Sequence, residues 1–152
     1  MSIPFRLLIP RRLYDRMLSQ ATLELPNECC GLLAGRLVTD VRELTEVPDC
    51  TAVEYFPLVN AAASPVEFLS DPRSMFNADR QMRRAGLDVL AVYHSHPISA
   101  PVPSRKDLER NYSPQVMNLI LSLMEKEIEM RAWWLSEAGY EPGEWEYIEE
   151  EG

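Results

Sequence analysis

The segment Val89-Leu90-Ala91-Val92-Tyr93 is continuously apolar and runs without a break into His94-Ser95-His96-Pro97. A short uncharged run of this kind, rich in β-branched and aromatic residues, reads as a central strand covered on both faces. The chain therefore needs material above and below one sheet. The same strand ends in two histidines, the only two in the 152 residues.

Other segments supply the covering layers. Phe5 to Ile9 reads as a first strand, and Pro10 suits the first turn of a helix because its missing N–H costs nothing there. Leu13, Met17, Leu18 and Ala21 recur at helical spacing as far as Glu24, and Pro26 stops the run. Cys29 to Gly35 is an apolar strand. Val41 to Val47 and Ala52 to Val59 read as strands separated by Pro48-Asp49. Asn60 to Asp71 reads as a loop with a short strand around Val66-Glu67-Phe68. Asp71-Pro72 offers an N-cap and a first-turn proline for a helix with Met75, Ala78, Met82 and Ala85 on its buried face, ended by Gly86. A short helix starts at Ser104. Val116 to Leu123 and Ile128 to Leu135 are further strands, and Trp145 to Ile148 is an amphipathic edge strand. Alternation points Trp133 and Trp134 to opposite faces. The fold class expected is α/β: one single-domain mixed β-sheet flanked by helices in an α-β-α arrangement.

Charge removes several function classes. The net charge is −9, but seven glutamates and no basic residue lie between Glu137 and Glu151. The remaining 17 acidic and 15 basic residues nearly cancel. No basic stripe is present to displace counterions, so nucleic acid is not an expected partner. No apolar run approaches the roughly 20 residues that cross a bilayer, so no membrane association is expected. The N-terminus lacks the pattern of a secretory signal, and three cysteines make a poor disulfide framework; a cytoplasmic location is expected.

His94 and His96 are two apart on a strand, so their side chains point to the same side and can reach one metal ion. Asp107 follows a proline-marked loop (Pro97, Pro101, Pro103) long enough to return a carboxylate to the histidines. Two imidazoles and a carboxylate leave a fourth tetrahedral position open, as catalytic zinc sites require. Taken alone, the histidine pair reads equally well as a hydrogen-bonded turn. Ser104-Arg105-Lys106-Asp107 likewise fits a capping box, and a ligating Asp107 is expected to be unavailable for much capping.

The full spacing goes further. His-x-His, seven residues, Ser, two residues, Asp, with an upstream Glu in Pro26-Asn27-Glu28-Cys29-Cys30-Gly31-Leu32-Leu33, resembles the JAMM (MPN-domain) zinc metalloprotease family. Tyr93, Pro97 and Pro103 also fit its pattern, whereas Ala91 stands where many members have glycine. The resemblance implies the MPN, cytidine-deaminase-like fold. It makes residues 1–136 the catalytic domain and 137–152 an acidic segment forming an edge strand and solvated tail of the same domain. It implies one Zn2+ per chain held by His94, His96 and Asp107. Glu28 would hold and deprotonate a water on the metal, and Ser104 would donate to the oxygen of the tetrahedral intermediate. The implied partner is a ubiquitin-like or sulfur-carrier protein, cut at the amide after its C-terminal Gly-Gly, with release of cysteine or another amino acid.

The compact chain has no room for the large insertions of some eukaryotic relatives and looks more like the stand-alone prokaryotic type. Two alternatives stay beside this reading: a non-catalytic MPN-type scaffold, and a zinc hydrolase of a small-molecule amide. Several other chemistries are excluded. No HExxH, H-x-E with P-C-x-x-C, CxxC, GxxxxGK[ST] or GxGxxG pattern occurs. Cys30 is expected to pack in the core.

Overall fold

The computed structural model describes residues 4–38, 46–111 and 113–150. They form one mixed eight-stranded sheet and three helices, in the expected α/β class. The elements are β1 (Arg6–Pro10), α1 (Arg11–Leu23), β2 (Cys30–Gly35), β3 (Asp49–Leu58), α2 (Pro72–Ala85), β4 (Asp88–His96), α3 (Arg105–Glu109), β5 (Met117–Ser122), β6 (Glu129–Ser136), β7 (Gly139–Pro142) and β8 (Glu144–Ile148). Strand order across the sheet is β7-β6-β5-β4-β2-β3-β1-β8. β4 is flanked by β2 antiparallel and β5 parallel. The chain crosses from β4 to β5 through the loop that carries α3.

Two helices cover the two faces. Leu13, Met17 and Ala21 of α1 share a core with Leu7, Ile9, Leu33, Ala91 and Tyr93. Ala78 and Met82 of α2 share the other with Cys30, Leu32, Ala34, Leu58 and Val92. Alternation along β2 and β4 sorts these residues, because successive side chains point to opposite faces. His94 and His96 continue the Val92 parity, so both lie on the α2 face. Trp133 and Trp134 divide as expected: Trp133 joins Ile120 and Leu135, while Trp134 meets Phe5 edge-on.

Local signals set the helix ends. The Asp71 carboxylate accepts from the Ser74 N–H at 3.0 Å, and Gly86 closes α2 at φ 66°. That left-handed conformation costs glycine little. Pro10 closes β1 and stands at the N-cap of α1, one position before the first helical residue.

Two expectations need correction. Val66 to Phe68 is not a strand; only Asn60 and Ser70 make an isolated bridge, because side-chain bonds hold the segment as a loop. Ala85, the last residue of α2, is exposed. The expected strand at Val41 to Val47 falls largely on residues 39–45, outside the described residues, and β3 begins only at Asp49. The short β7 was not expected, and it pairs with the end of β6. The acidic end is also less free than a solvated tail. β8 pairs in parallel with β1, and Glu149 and Glu150 meet Arg11 and Arg12 at 3.2 and 3.0 Å.

Gly31 is required by a close approach. A Cβ there would sit 2.6 Å from Cε1 of Tyr55, a buried ring that packs edge-on to Tyr93. Overpacking a core typically costs about 1–3 kcal/mol. Gly31→Ala is therefore expected to lower unfolding free energy by about that amount, read from the urea midpoint at unchanged slope.

Candidate metal centre

The site is assembled by strand register. Cys30 pairs with His94 across the antiparallel β2–β4 ladder, and the Ser95 N–H donates to the Cys29 carbonyl at 3.1 Å. Extending that register one step sets Glu28 opposite His96. Antiparallel partners share a face, so Glu28, His94 and His96 converge. Ligand atoms of these three buried residues all lie within 4.8 Å of one another.

Asp107 comes from the crossover. Val102 and Leu108 pack against Ile120, Trp133 and Leu135, which seats α3 on the α2 face of the sheet. The loop before it is pinned by side chains from below: Trp133 Nε1 donates to the Pro101 carbonyl and His96 Nδ1 to the Ala100 carbonyl, each at 2.8 Å. Asp107 is the third residue of α3, and its Oδ2 lies 3.2 Å from Nε2 of both histidines. The two Nε2 atoms are 3.0 Å apart.

The capping box and the histidine cluster coexist. Ser104 Oγ accepts from the Asp107 N–H at 3.1 Å, and Asp107 Oδ2 accepts from the Ser104 N–H at 2.8 Å. Without a metal, Asp107 caps Ser104 and faces the histidines at the same time. A carboxylate oxygen has more than one lone pair, so Oδ2 can face the cap and the histidines together. Because the Ser104 hydroxyl oxygen serves as the acceptor, its O–H remains able to donate.

These donors suit a zinc ion. With its proton on Nδ1 for Ala100, neutral His96 turns a bare Nε2 towards Asp107 Oδ2, lone pair against lone pair. Only a proton or a cation relieves that contact. Tetrahedral ligands about 2.0–2.1 Å from zinc stand about 3.3 Å apart, close to the 3.0–3.2 Å separations of Nε2, Nε2 and Oδ2. Oε1 of Glu28 is buried without a hydrogen-bond partner. That leaves a carboxylate oxygen unpaired beside the three convergent atoms.

Titration follows from burial and from these contacts. Burial raises the Glu28 carboxyl to about 8, Asp107 and Glu67 add to the rise, and His96 opposes it. Burial also pushes Asp107 upward, but hydrogen bonds from His94 and from His96 in its protonated form outweigh it and hold the group well below the usual carboxylate range. Burial lowers His94 against the pull of Asp107. For His96 the burial effect is outweighed by bonds to Asp107 and Ala100, so its pKa rises.

Of the residues singled out from the sequence, His94, His96, Asp107 and Glu28 meet at one point, and Ser104 borders it through the α3 cap. Two contributors were missed. Phe68 stacks on the His94 ring at 4.5 Å, and Asn60 bonds the Glu28 carbonyl at 2.9 Å. Both belong to a segment read as a loop with a short strand, in which nothing marked either residue as part of a site.

Comparison with known proteins identifies the family. Residues 10–136 match a family model described as prokaryotic homologs of the JAB domain. A probable TtuB-protein conjugate cleaving protease of Thermus thermophilus is 36% identical over 104 residues, covering 68% of this chain and 62% of the relative. The chain thus spans under two thirds of that protein. A desampylase of Pyrococcus furiosus is 33% identical over 133 residues, 86% of this chain and 82% of the relative. A solution structure of a Desulfitobacterium hafniense protein superposes with TM-score 0.81 at 31% identity, over 95% of this chain and 94% of the other.

A stability test isolates Glu28. In the metal-free protein its folded pKa is raised from 4.5 to about 8. Between those values the folded state keeps a proton that the unfolded chain has released. Its contribution is therefore present below about pH 4.5 and lost as pH rises towards 8. In chelator-treated protein, the wild type is expected to lose more stability from pH 5 to pH 8 than Glu28→Gln, measured by urea midpoints. Equal losses would mean the carboxyl is not buried as described.

Proposed function

The chain belongs to the prokaryotic JAB-domain family, and from that premise we propose that it is a zinc-dependent isopeptidase. Its substrate is a ubiquitin-like carrier protein joined through its C-terminal Gly-Gly to an amine. The bond cut is the amide after that Gly-Gly. The observation that carries the proposal is the convergence of His94 Nε2, His96 Nε2 and Asp107 Oδ2 within 3.2 Å, with an unpaired Glu28 carboxyl oxygen beside them. The names of the Thermus and Pyrococcus relatives, a conjugate-cleaving protease and a desampylase, support the same substrate class.

Each residue has a physical role in this reading. His94, His96 and Asp107 would hold the zinc ion. The bond from His96 Nδ1 to the Ala100 carbonyl fixes that ring's tautomer and keeps Nε2 free to ligate. When bound, the metal supplies a positive charge that makes water acidic near neutral pH and polarises the scissile carbonyl. Glu28 takes a proton from the attacking water and returns it to the departing amine. Beside a bound cation the Glu28 carboxyl would be held in its ionised form, ready to take that proton. Ser104 donates its O–H to the oxygen that gains charge as the carbonyl becomes tetrahedral. No helix among the described residues is long and apolar enough to cross a membrane.

The test is intact-mass analysis of a ubiquitin-like carrier bearing an amide-linked cysteine after Gly-Gly. Zinc-loaded wild type is expected to remove the cysteine, chelation to stop the reaction and zinc to restore it. Glu28→Ala is expected to lower kcat by about 10²–10⁴, and Ser104→Ala by about 10²–10³. Cleavage of short peptides but not of the carrier would replace the proposed substrate with a small amide. Equal cleavage by wild type and Glu28→Ala would remove Glu28 from the chemistry.

A further inference from the structure

Glu28 lies just outside β2, and the carboxylate oxygen buried beside the histidines has no hydrogen-bond partner. The side chain must therefore be aimed by its backbone. That backbone is held from one side by the segment between β3 and α2. The Glu28 N–H donates to the Ser64 carbonyl at 2.8 Å, and the Glu28 carbonyl accepts from Asn60 Nδ2 at 2.9 Å.

Asn60 is the hub of that segment. Its Nδ2 also donates to the Glu67 carbonyl at 3.1 Å, and its Oδ1 accepts from the N–H groups of Ala62 and Leu69, each at 3.0 Å. An amide side chain has two donor hydrogens and two acceptor lone pairs; all four are used, and the residue is only 8% exposed. The two acceptor bonds close the segment on itself, and one donor bond ties it to Glu28. The same strap reaches the rest of the site. Phe68 stacks on His94, and the Glu67 carboxylate meets Lys106 of α3, the helix that carries Asp107, and Arg110 at its C-cap, at 2.6 and 3.4 Å.

We propose that Asn60 is a positioning residue that fixes Glu28 for proton transfer by clamping its backbone carbonyl to the 60–70 strap. The proposal rests on the role given to Glu28 above. Asn60→Asp separates the two halves of the clamp. It keeps acceptor oxygens for Ala62 and Leu69 but loses both donated bonds, setting a carboxylate against the carbonyls of Glu28 and Glu67. Asn60→Ala serves as a second variant without that repulsion, should the first not fold.

The first readout is amide hydrogen exchange of the metal-free variant, which needs no activity. The Glu28 N–H is expected to exchange about tenfold faster or more as the clamp opens locally. Val92 and Ile120, in the central ladder, keep their protection. The second readout is carrier cleavage by the zinc-loaded enzyme. A misplacement near 1 Å can cost about 10²-fold, so kcat is expected to fall by up to that factor, with KM and zinc affinity within about threefold. In a Glu28→Gln background the Asn60 substitution should cost nothing further, because a residue acting through Glu28 has nothing left to position. Unchanged exchange at Glu28, or an equal fold-loss in both backgrounds, would overturn the proposal. If the wild type leaves the carrier intact while Glu28 exchange accelerates in the variant, the clamp stands and the substrate assignment falls.

Discussion

The antiparallel register between β2 and β4 is the constraint on which the site depends. With Cys30 opposite His94, the residues just beyond the ladder are also brought together, and Glu28 arrives beside His96 although 68 positions separate them. A slip of one residue would turn Glu28 to the α1 face, because strand side chains alternate with a period of two. The register is in turn enforced by burial. Leu33, Ala91 and Tyr93 must meet α1, while Leu32, Ala34 and Val92 must meet α2. Slippage would exchange those sets. Core packing on two faces and the geometry of the polar cluster are thus one requirement.

That coupling explains which parts could be read from the sequence. The apolar run before His94 announced a doubly covered strand, and the i, i+2 spacing announced two imidazoles on one side; both depend only on local periodicity. Asp71 and Gly86 bounded α2 for equally local reasons. Glu28 was different. Nothing near it in the chain distinguishes it from a surface glutamate after a turn, and its place follows from a pairing that only the folded sheet fixes. It was reached through family resemblance, not through its own environment. Asn60 had no such help. Its role lies in four bonds to backbone groups that extend up to 32 residues away, and an asparagine in a loop has many unremarkable uses. The strand read at Val66 to Phe68 failed for a related reason. Side-chain bonds from Asn60 take up the backbone groups that a ladder would have used.

The cluster is also costly to the fold that holds it. Two imidazoles, a carboxylate and an unpaired Glu28 oxygen lie buried together, and buried polar groups without partners destabilise a protein. The surrounding structure is correspondingly well fastened. Three side chains from β4, β5 and β6 reach into the 99–101 loop: Ser122 bonds the Ser99 carbonyl, His96 that of Ala100, and Trp133 that of Pro101. Opposite them, the strap closes over His94 through Phe68. The site is gripped from both sides by loops that are themselves pinned to the sheet. Convergence of like-natured atoms can persist only where the backbone has few alternatives.

Asp107 shows how one side chain can serve both ends without conflict. As the third residue of a five-residue helix, it satisfies the Ser104 N–H and places the same Oδ2 between the histidines. A helix that short has little cooperative stability of its own, so the cap and the packing of Leu108 decide whether it forms. The cap therefore aims the carboxylate before any cation arrives. A cation drawn to Oδ2 would use a lone pair that the cap leaves free, so ligation need not undo the helix start. Capping and ligation look like competing uses of Asp107 in the sequence because each asks for the same atom. In the folded chain the capping N–H and the two histidine nitrogens approach that atom from different directions, so the cap orders the carboxylate without turning it from the histidines.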